Sequence, residues 1–261
     1  MKKKLSIVSY LNSFPLAWGF LHGPQREMFI SEFSVPARCA DRLASGEVEV
    51  GLIPAIECQR IHGLKIVPGL SIASRQEVES VLLLSRKPAE QLKMVAVDTS
   101  SRTSVGLLAI LCREKFGCNP QLVPIQLDLE GMLDACSAAL LIGDAALKCR
   151  KDGLMVYDLG AEWAAMTGKP FVYALWASRV ELSAKEIEAF HGSFRFGQEN
   201  LEQIVSSQSV QLGLKAVLIE SYLTKRICYS LDVETLKGLE MFYSLAARHG
   251  LISNPHPLDF L

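Results

Sequence analysis

The sequence predicts an α/β protein of two lobes with a helical C-terminal section. Three observations carry that prediction. Short apolar runs alternate with helix-like segments over the first two thirds of the chain, the pattern of parallel sheets with helices on their faces. Runs such as Val81-Leu82-Leu83-Leu84 are apolar without alternation, as strands buried on both sides are. From Ser183 onward the pattern reads as helices only.

Taken in order, strands are expected at residues 5–9, 49–53, 64–67, 80–85, 94–97, 121–125, 138–142, 155–159 and 171–177. A helix over 37–45 has Pro36 before it and Gly46 after it, the residues favoured at a helix's first position and just past its end. A second, over 104–116, stops at Gly117, and those at 129–136 and 161–166 are short. In the tail one helix spans about 214–228, and another is capped by Asp232 and runs to Arg248 before Gly250. Leu236, Leu239, Phe242, Tyr243 and Ala246 recur at helical spacing and read as packing residues. The segments 80–86 and 171–178 read as crossings between lobes. Residues 87–175 then form an inserted lobe, and 1–86 with 176–261 form the other. A ligand is expected in the cleft, near the carboxyl ends of the strands.

With 261 residues, 49% of them apolar, the chain can bury a sizeable core. A net charge of −1 gives no case for nucleic acid or a membrane surface as partner. Lys2-Lys3-Lys4 looks like the start of a signal peptide, but the apolar run behind it is short and soon meets Asn12, Ser13 and Pro15. Neither a signal peptide nor a bilayer span is therefore expected. The seven cysteines are scattered and form no C-x-x-C pair. They read as free thiols of a cytoplasmic protein.

The chemistry concentrates in Asp98-Thr99-Ser100-Ser101-Arg102-Thr103-Ser104, between an apolar strand and an apolar helix. Helix starts carry unpaired N–H donors and a positive dipole end, so hydroxyls there suit a carboxylate or phosphate. The plain alternative is an N-cap made by Thr99 or Ser100. Asn12 falls at the carboxyl end of the first strand, where it can orient a hydroxyl or carboxylate, or merely make the turn before Pro15. Asp144 opens a short helix, either as its cap or as a cleft-facing carboxylate. None of the five histidines sits at a strand's carboxyl end, and all read as surface or capping residues. No zincin, nucleophile-elbow, Walker or dinucleotide motif occurs. The residues thus imply no metal and no cofactor, and catalysis would rest on positioning and polar stabilisation.

One set of blocks resembles a known family. These are Ser9-Tyr10-Leu11-Asn12 with Pro15-Leu16, Gly51-Leu52-Ile53-Pro54, the Asp98–Ser104 block, and Leu141-Ile142-Gly143-Asp144-Ala145-Ala146-Leu147. Asp158-Leu159-Gly160-x-x-Trp163, Thr167-Gly168-x-Pro170-Phe171-Val172, Trp176-Ala177 and Gly238-Leu239-Glu240-x-Phe242 complete it. Together they resemble the chorismate dehydratases, first enzymes of the futalosine route to menaquinone. The resemblance implies a two-lobed fold like type II periplasmic binding proteins. It implies loss of water from chorismate to give 3-[(1-carboxyvinyl)oxy]benzoate, a carbon–oxygen lyase reaction without cofactor.

Asn12 matches the catalytically central polar residue of that family. Ser100, Ser101 and Thr103 are then expected to hold one substrate carboxylate, with Ser80 adding a donor and Asp144 lining the site. Arg102 fits a carboxylate partner and a lobe-surface cation equally. Where many relatives carry a turn glycine, this chain has Arg75-Gln76-Glu77, a bulkier loop at the cleft mouth. The competing readings are a dihydroxynaphthoate synthase, expected to place a histidine in its cleft, and a cytosolic binder of small acids without turnover. The sequence leaves the oligomeric state open.

Overall fold

A computed structural model describes residues 2–126 and 128–261. The chain first lays down β1 (Lys3–Val8), β2 (Phe29–Ser34), β3 (Val50–Pro54) and β4 (Lys65–Ser74). It then leaves for a second sheet of β5 (Val81–Ser85), β6 (Met94–Val97), β7 (Gln121–Pro124), β8 (Ala138–Ile142) and β9 (Met155–Asp158). It returns to the first sheet with β10 (Phe171–Ser178), β11 (Cys228–Leu231) and β12 (Asp259–Phe260). The larger sheet runs β11-β4-β10-β3-β1-β2, with β12 also on β4, and the smaller runs β7-β6-β8-β5-β9.

Helices connect the strands: α1 (Phe14–His22), α2 (Pro36–Ser45), α3 (Arg102–Glu114), α4 (Leu129–Ala135), α5 (Gly143–Lys148) and α6 (Leu159–Thr167). The C-terminal section adds α7 (Ala184–Glu199), α8 (Leu201–Leu212), α9 (Ala216–Ser221) and α10 (Val233–Arg248). The local signals explain their ends. Pro36 starts α2 and Gly46, in the left-handed region, stops it. Ser183 and Glu186 form a reciprocal capping box on α7. Asp232 caps α10 by accepting from the Thr235 amide at 2.9 Å. The tail packs onto the larger sheet through aromatic rings: Phe242 of α10 meets Phe171 of β10 edge-on at 5.0 Å, and both are buried.

Three expectations need correction. The sheets are mixed rather than parallel, because β5 runs antiparallel to β8 and β9, and β10 runs antiparallel to β3 and β4. Each of these two strands follows a passage from the other lobe, and so enters its sheet from the cleft side. Sheet membership also shifts the crossings. Val81–Ser85 belongs wholly to the smaller sheet and Phe171–Ser178 to the larger, so the chain passes between sheets at 75–80 and 159–170, not at 87 and 175. The tail is not helices only. β4 is ten residues long, and β11 and β12 lie along it by pairing with its residues 69–73 and 65–66. The helix expected over 214–228 accordingly ends early: α9 passes into one π-helical turn, Tyr222–Arg226, and then into β11.

Candidate active site

A small cavity of about 40 Å³ lies between the lobes. Val8, Pro54 and Ile142, from the carboxyl ends of β1, β3 and β8, line it. Val81 and Tyr173, from the beginnings of the reversed strands β5 and β10, line it too. The opposite strand directions thus bring both kinds of end to one place, where ligands bind in open α/β sheets.

Asn12 lines the cavity from a short 3₁₀ turn, Leu11–Ser13, directly after β1. The turn is held on both sides. Ser13 Oγ donates to the Tyr10 carbonyl at 2.8 Å, and the Leu11 amide donates across the cleft to Asp144 Oδ1 at 3.0 Å. The Asn12 amide nitrogen donates to the Tyr222 hydroxyl at 3.3 Å, and that hydroxyl donates to Ser80 Oγ at 2.8 Å. Asn12 Oδ1 is buried with no hydrogen-bond partner. Ser80 also lines the cavity and is 1% exposed.

The Asp98–Ser104 block divides its hydroxyls by helix geometry. Ser101 is the N-cap residue of α3, yet its side chain caps no amide. It meets Ser104 Oγ at 2.9 Å instead, and both line the cavity from one helix face. The expected cap by Thr99 or Ser100 is not made. Ser100 Oγ sits 2.9 Å from the Tyr10 hydroxyl, and its carbonyl accepts from the Ala37 amide at 2.8 Å. Thr103 Oγ1 accepts from the Ile56 amide at 3.2 Å, so this hydroxyl joins the lobes and is not among the cavity's lining. Arg102 is engaged by protein carboxylates of the other lobe, Asp41 at 2.7 Å and Glu57 at 3.1 Å.

Asp144 neither caps α5, whose N-cap residue is Ile142, nor lines the cavity. Burial raises its carboxyl above the usual range, against the lowering pull of the Leu11 amide and Lys148. Burial likewise pushes Tyr10 up to about 12, with Asp98 and Asp144 adding to the shift and Ser100 opposing it. The ring of Tyr10 lies so close to Gly143 that a Cβ there would come within 2.9 Å of it. Gly143 also has a φ of +59°, in the left-handed region that favours glycine.

The first passage between the sheets is clamped at several points. Asp158 accepts from the amides of Val78 (3.1 Å), Glu79 (2.6 Å), Gly160 (3.0 Å) and Ala161 (3.1 Å). Glu79 holds a left-handed φ of 61°, uncommon for a residue with a Cβ. Arg226, at the end of the π turn, pairs with Glu77 and with Glu79, the latter at 2.8 Å. Arg75 pairs with Asp232 at 2.6 Å. The unusual 75–77 loop is thus tied to the C-terminal section by charge. Gly160 packs where a Cβ would meet Gln76 O at 2.7 Å and the Ser74 and Tyr173 hydroxyls at 2.8 Å.

Of the residues expected at the site, Asn12, Ser80 and Ser101 line the cavity, whereas Ser100, Thr103 and Asp144 make contacts between the lobes around it. Sequence reasoning passed over Ser104, Tyr173 and Tyr222. Ser104 carried a signal, since it stands three residues from Ser101. Tyr222 carried none, lying in a segment read as packing helix. None of the five histidines lines the cavity.

Residues 3–248 match the family described as menaquinone biosynthesis. The chain belongs to this family. The chorismate dehydratase of Thermus thermophilus is 30% identical over 258 residues, covering 91% of this chain and 93% of that protein. Among solved structures, an Archaeoglobus fulgidus protein superposes with a TM-score of 0.80 at 20% identity, covering 96% of this chain and 98% of its own. The periplasmic aliphatic sulphonate binding protein of Escherichia coli gives 0.65 at 15% identity, covering 100% and 94%. The fold of this menaquinone-biosynthesis family member is thus that of the periplasmic binding proteins, as expected from its sequence blocks. Among the described residues, no helix is long and apolar enough to cross a membrane.

Proposed function

We propose that the cleft removes water from chorismate to give 3-[(1-carboxyvinyl)oxy]benzoate, as the first step of the futalosine route. In this hydro-lyase reaction the ring carbon bearing the enolpyruvyl ether loses a proton, and the neighbouring carbon loses hydroxide. The C–H and C–O bonds break, a ring double bond forms, and the ring becomes aromatic. One observation carries the reading: in a chain of this family, the buried Asn12 Oδ1 has no protein partner, and Asn12 lines the cavity between the lobes. A buried acceptor left unpaired is costly, and a bound ligand group removes that cost.

Asn12 orients the substrate by accepting from its hydroxyl at Oδ1, and the donor Ser80 assists departure of that hydroxyl. Ser80 and the Ser101–Ser104 pair supply donors to the substrate's oxygens, beside the free amides at the start of α3. The proton goes to the substrate's own enolpyruvyl carboxylate. The absence of histidine from the cavity lining supports that assignment and disfavours the dihydroxynaphthoate synthase reading. A cytoplasmic setting is supported by the seven free cysteines.

The test is incubation of the purified protein with chorismate alone, followed by mass spectrometry and ultraviolet absorbance. A product lighter by one water, with an aromatic spectrum, is expected. Chorismate recovered unchanged while stabilising the protein against heat would replace the enzyme with a binder, a use suited to the fold shared with the sulphonate binding protein. Neither turnover nor stabilisation would remove chorismate as the ligand.

A further inference from the structure

We infer that Tyr222 is a positioning residue, which sets the direction of the hydrogen bonds that Asn12 and Ser80 offer to the bound substrate. The inference rests on the dehydratase reading for its substrate, but its geometry stands on the protein alone. An amide nitrogen only donates, so the Tyr222 oxygen must accept from Asn12 Nδ2. Its single proton then goes to Ser80 Oγ, which accepts it. Two consequences follow. The Asn12 side chain is locked with its carbonyl oxygen as the group left for a ligand, in agreement with the unpartnered Oδ1. Ser80, already accepting from Tyr222, keeps its own proton to donate.

One acceptor beside one donor matches a hydroxyl, which needs both. A substrate hydroxyl can donate to Asn12 Oδ1 while accepting from Ser80. Accepting a hydrogen bond on its oxygen stabilises the charge that grows there as the C–O bond breaks. Tyr222 itself is not part of the cavity lining and touches the substrate only through these two residues.

The backbone around Tyr222 is built for this task. The residue opens the π-helical turn that ends at Arg226, and such turns are frequent at functional sites. Arg226 pairs with Glu77 and Glu79, so the turn grips the same passage that carries Ser80 at two points. The phenol is 1% exposed, and burial raises its ionisation far above the usual tyrosine range, so it remains a neutral donor at working pH.

The experiment is a double-mutant cycle on chorismate turnover with Y222F, N12A and the pair. Y222F removes only the hydroxyl. It is expected to lower kcat by about 10- to 100-fold while KM moves less than about threefold. In the N12A background the same substitution should cost much less, because Tyr222 acts largely through Asn12. Turnover by Y222F within about twofold of the parent, or losses that multiply in the double variant, would overturn the inference. Absence of turnover in the parent protein would instead sink the dehydratase reading. The geometry is then decided by the side-chain amide resonance of Asn12 in isotope-labelled protein. That resonance should shift in Y222F, and an unmoved resonance in a folded Y222F protein would refute the role.

Discussion

Asp158→Ala tests the clamp on the passage between the lobes. The carboxylate accepts from four amides, two on the passage and two at the start of α6. Its removal deletes a helix cap, worth about 1 kcal/mol. It also strips Val78 and Glu79 of charge-assisted partners, each worth about 1.5 kcal/mol at the low end. Against this loss stands relief from burying a charge, because burial raises the Asp158 carboxyl despite those amides. A net destabilisation of about 3 kcal/mol follows, read as a fall in Tm of roughly 6–12 °C for a chain of this size. Asp158→Asn sharpens the test. Its one remaining oxygen can serve Gly160, Ala161 and Val78, but an amide nitrogen in place of Oδ2 faces the Glu79 N–H at the position that now accepts at 2.6 Å. Asn should therefore lie between Asp and Ala in urea and thermal melts. A loss below about 1 kcal/mol for Ala, or Asn equal to Asp, would refute the idea that this carboxylate holds the passage.

Ser101→Ala should weaken chorismate binding by about 1–3 kcal/mol in calorimetry with little change in Tm; unchanged affinity would mean that this hydroxyl serves only Ser104. Gly143→Ala should destabilise the protein by about 2–4 kcal/mol, since it adds a Cβ at positive φ and against the Tyr10 ring; a normal melting curve would contradict the close packing. Asp144→Asn keeps the oxygen that accepts from Leu11 but removes a buried charge. The folded carboxyl binds its proton more tightly than the unfolded one. Wild-type stability therefore falls as pH rises from about 4 through the raised folded value, and the loss persists above it. The variant should melt higher than wild type near pH 8, and the two should converge near pH 3; equal melting at the higher pH would show that burial of Asp144 carries no cost.

Much of this protein is readable along the chain because local order leaves a local trace. The spans Met94–Val97 and Ala138–Ile142 coincide with the runs expected as strands. Pro36, Gly46 and Asp232 mark helix ends because each solves a backbone problem within one turn of itself. Asn12 and Ser101, which line the cavity, were candidates from the sequence because a strand's carboxyl end and a helix start are where ligands meet backbone in such folds. The strand β2 escaped notice because it is an edge strand with Ile30 and Phe33 exposed, and so lacks a clean apolar face.

What the chain order could not reveal depends on groups far apart in sequence. The reversal of β5 and β10 follows from passing between lobes, not from their own residues. Which hydroxyls of the Asp98–Ser104 block face the cavity was decided by what packs on the other sides of α3: Ile56 engages Thr103, Tyr10 engages Ser100, and Asp41 with Glu57 engages Arg102. Tyr222 stands 210 residues from Asn12 and 142 from Ser80, yet bonds to both. Residue types and their local spacing determined the elements and the kind of chemistry available. Only the closing of two lobes onto one cavity decided which polar atoms are satisfied within the protein, and which, like Asn12 Oδ1, are left without a protein partner.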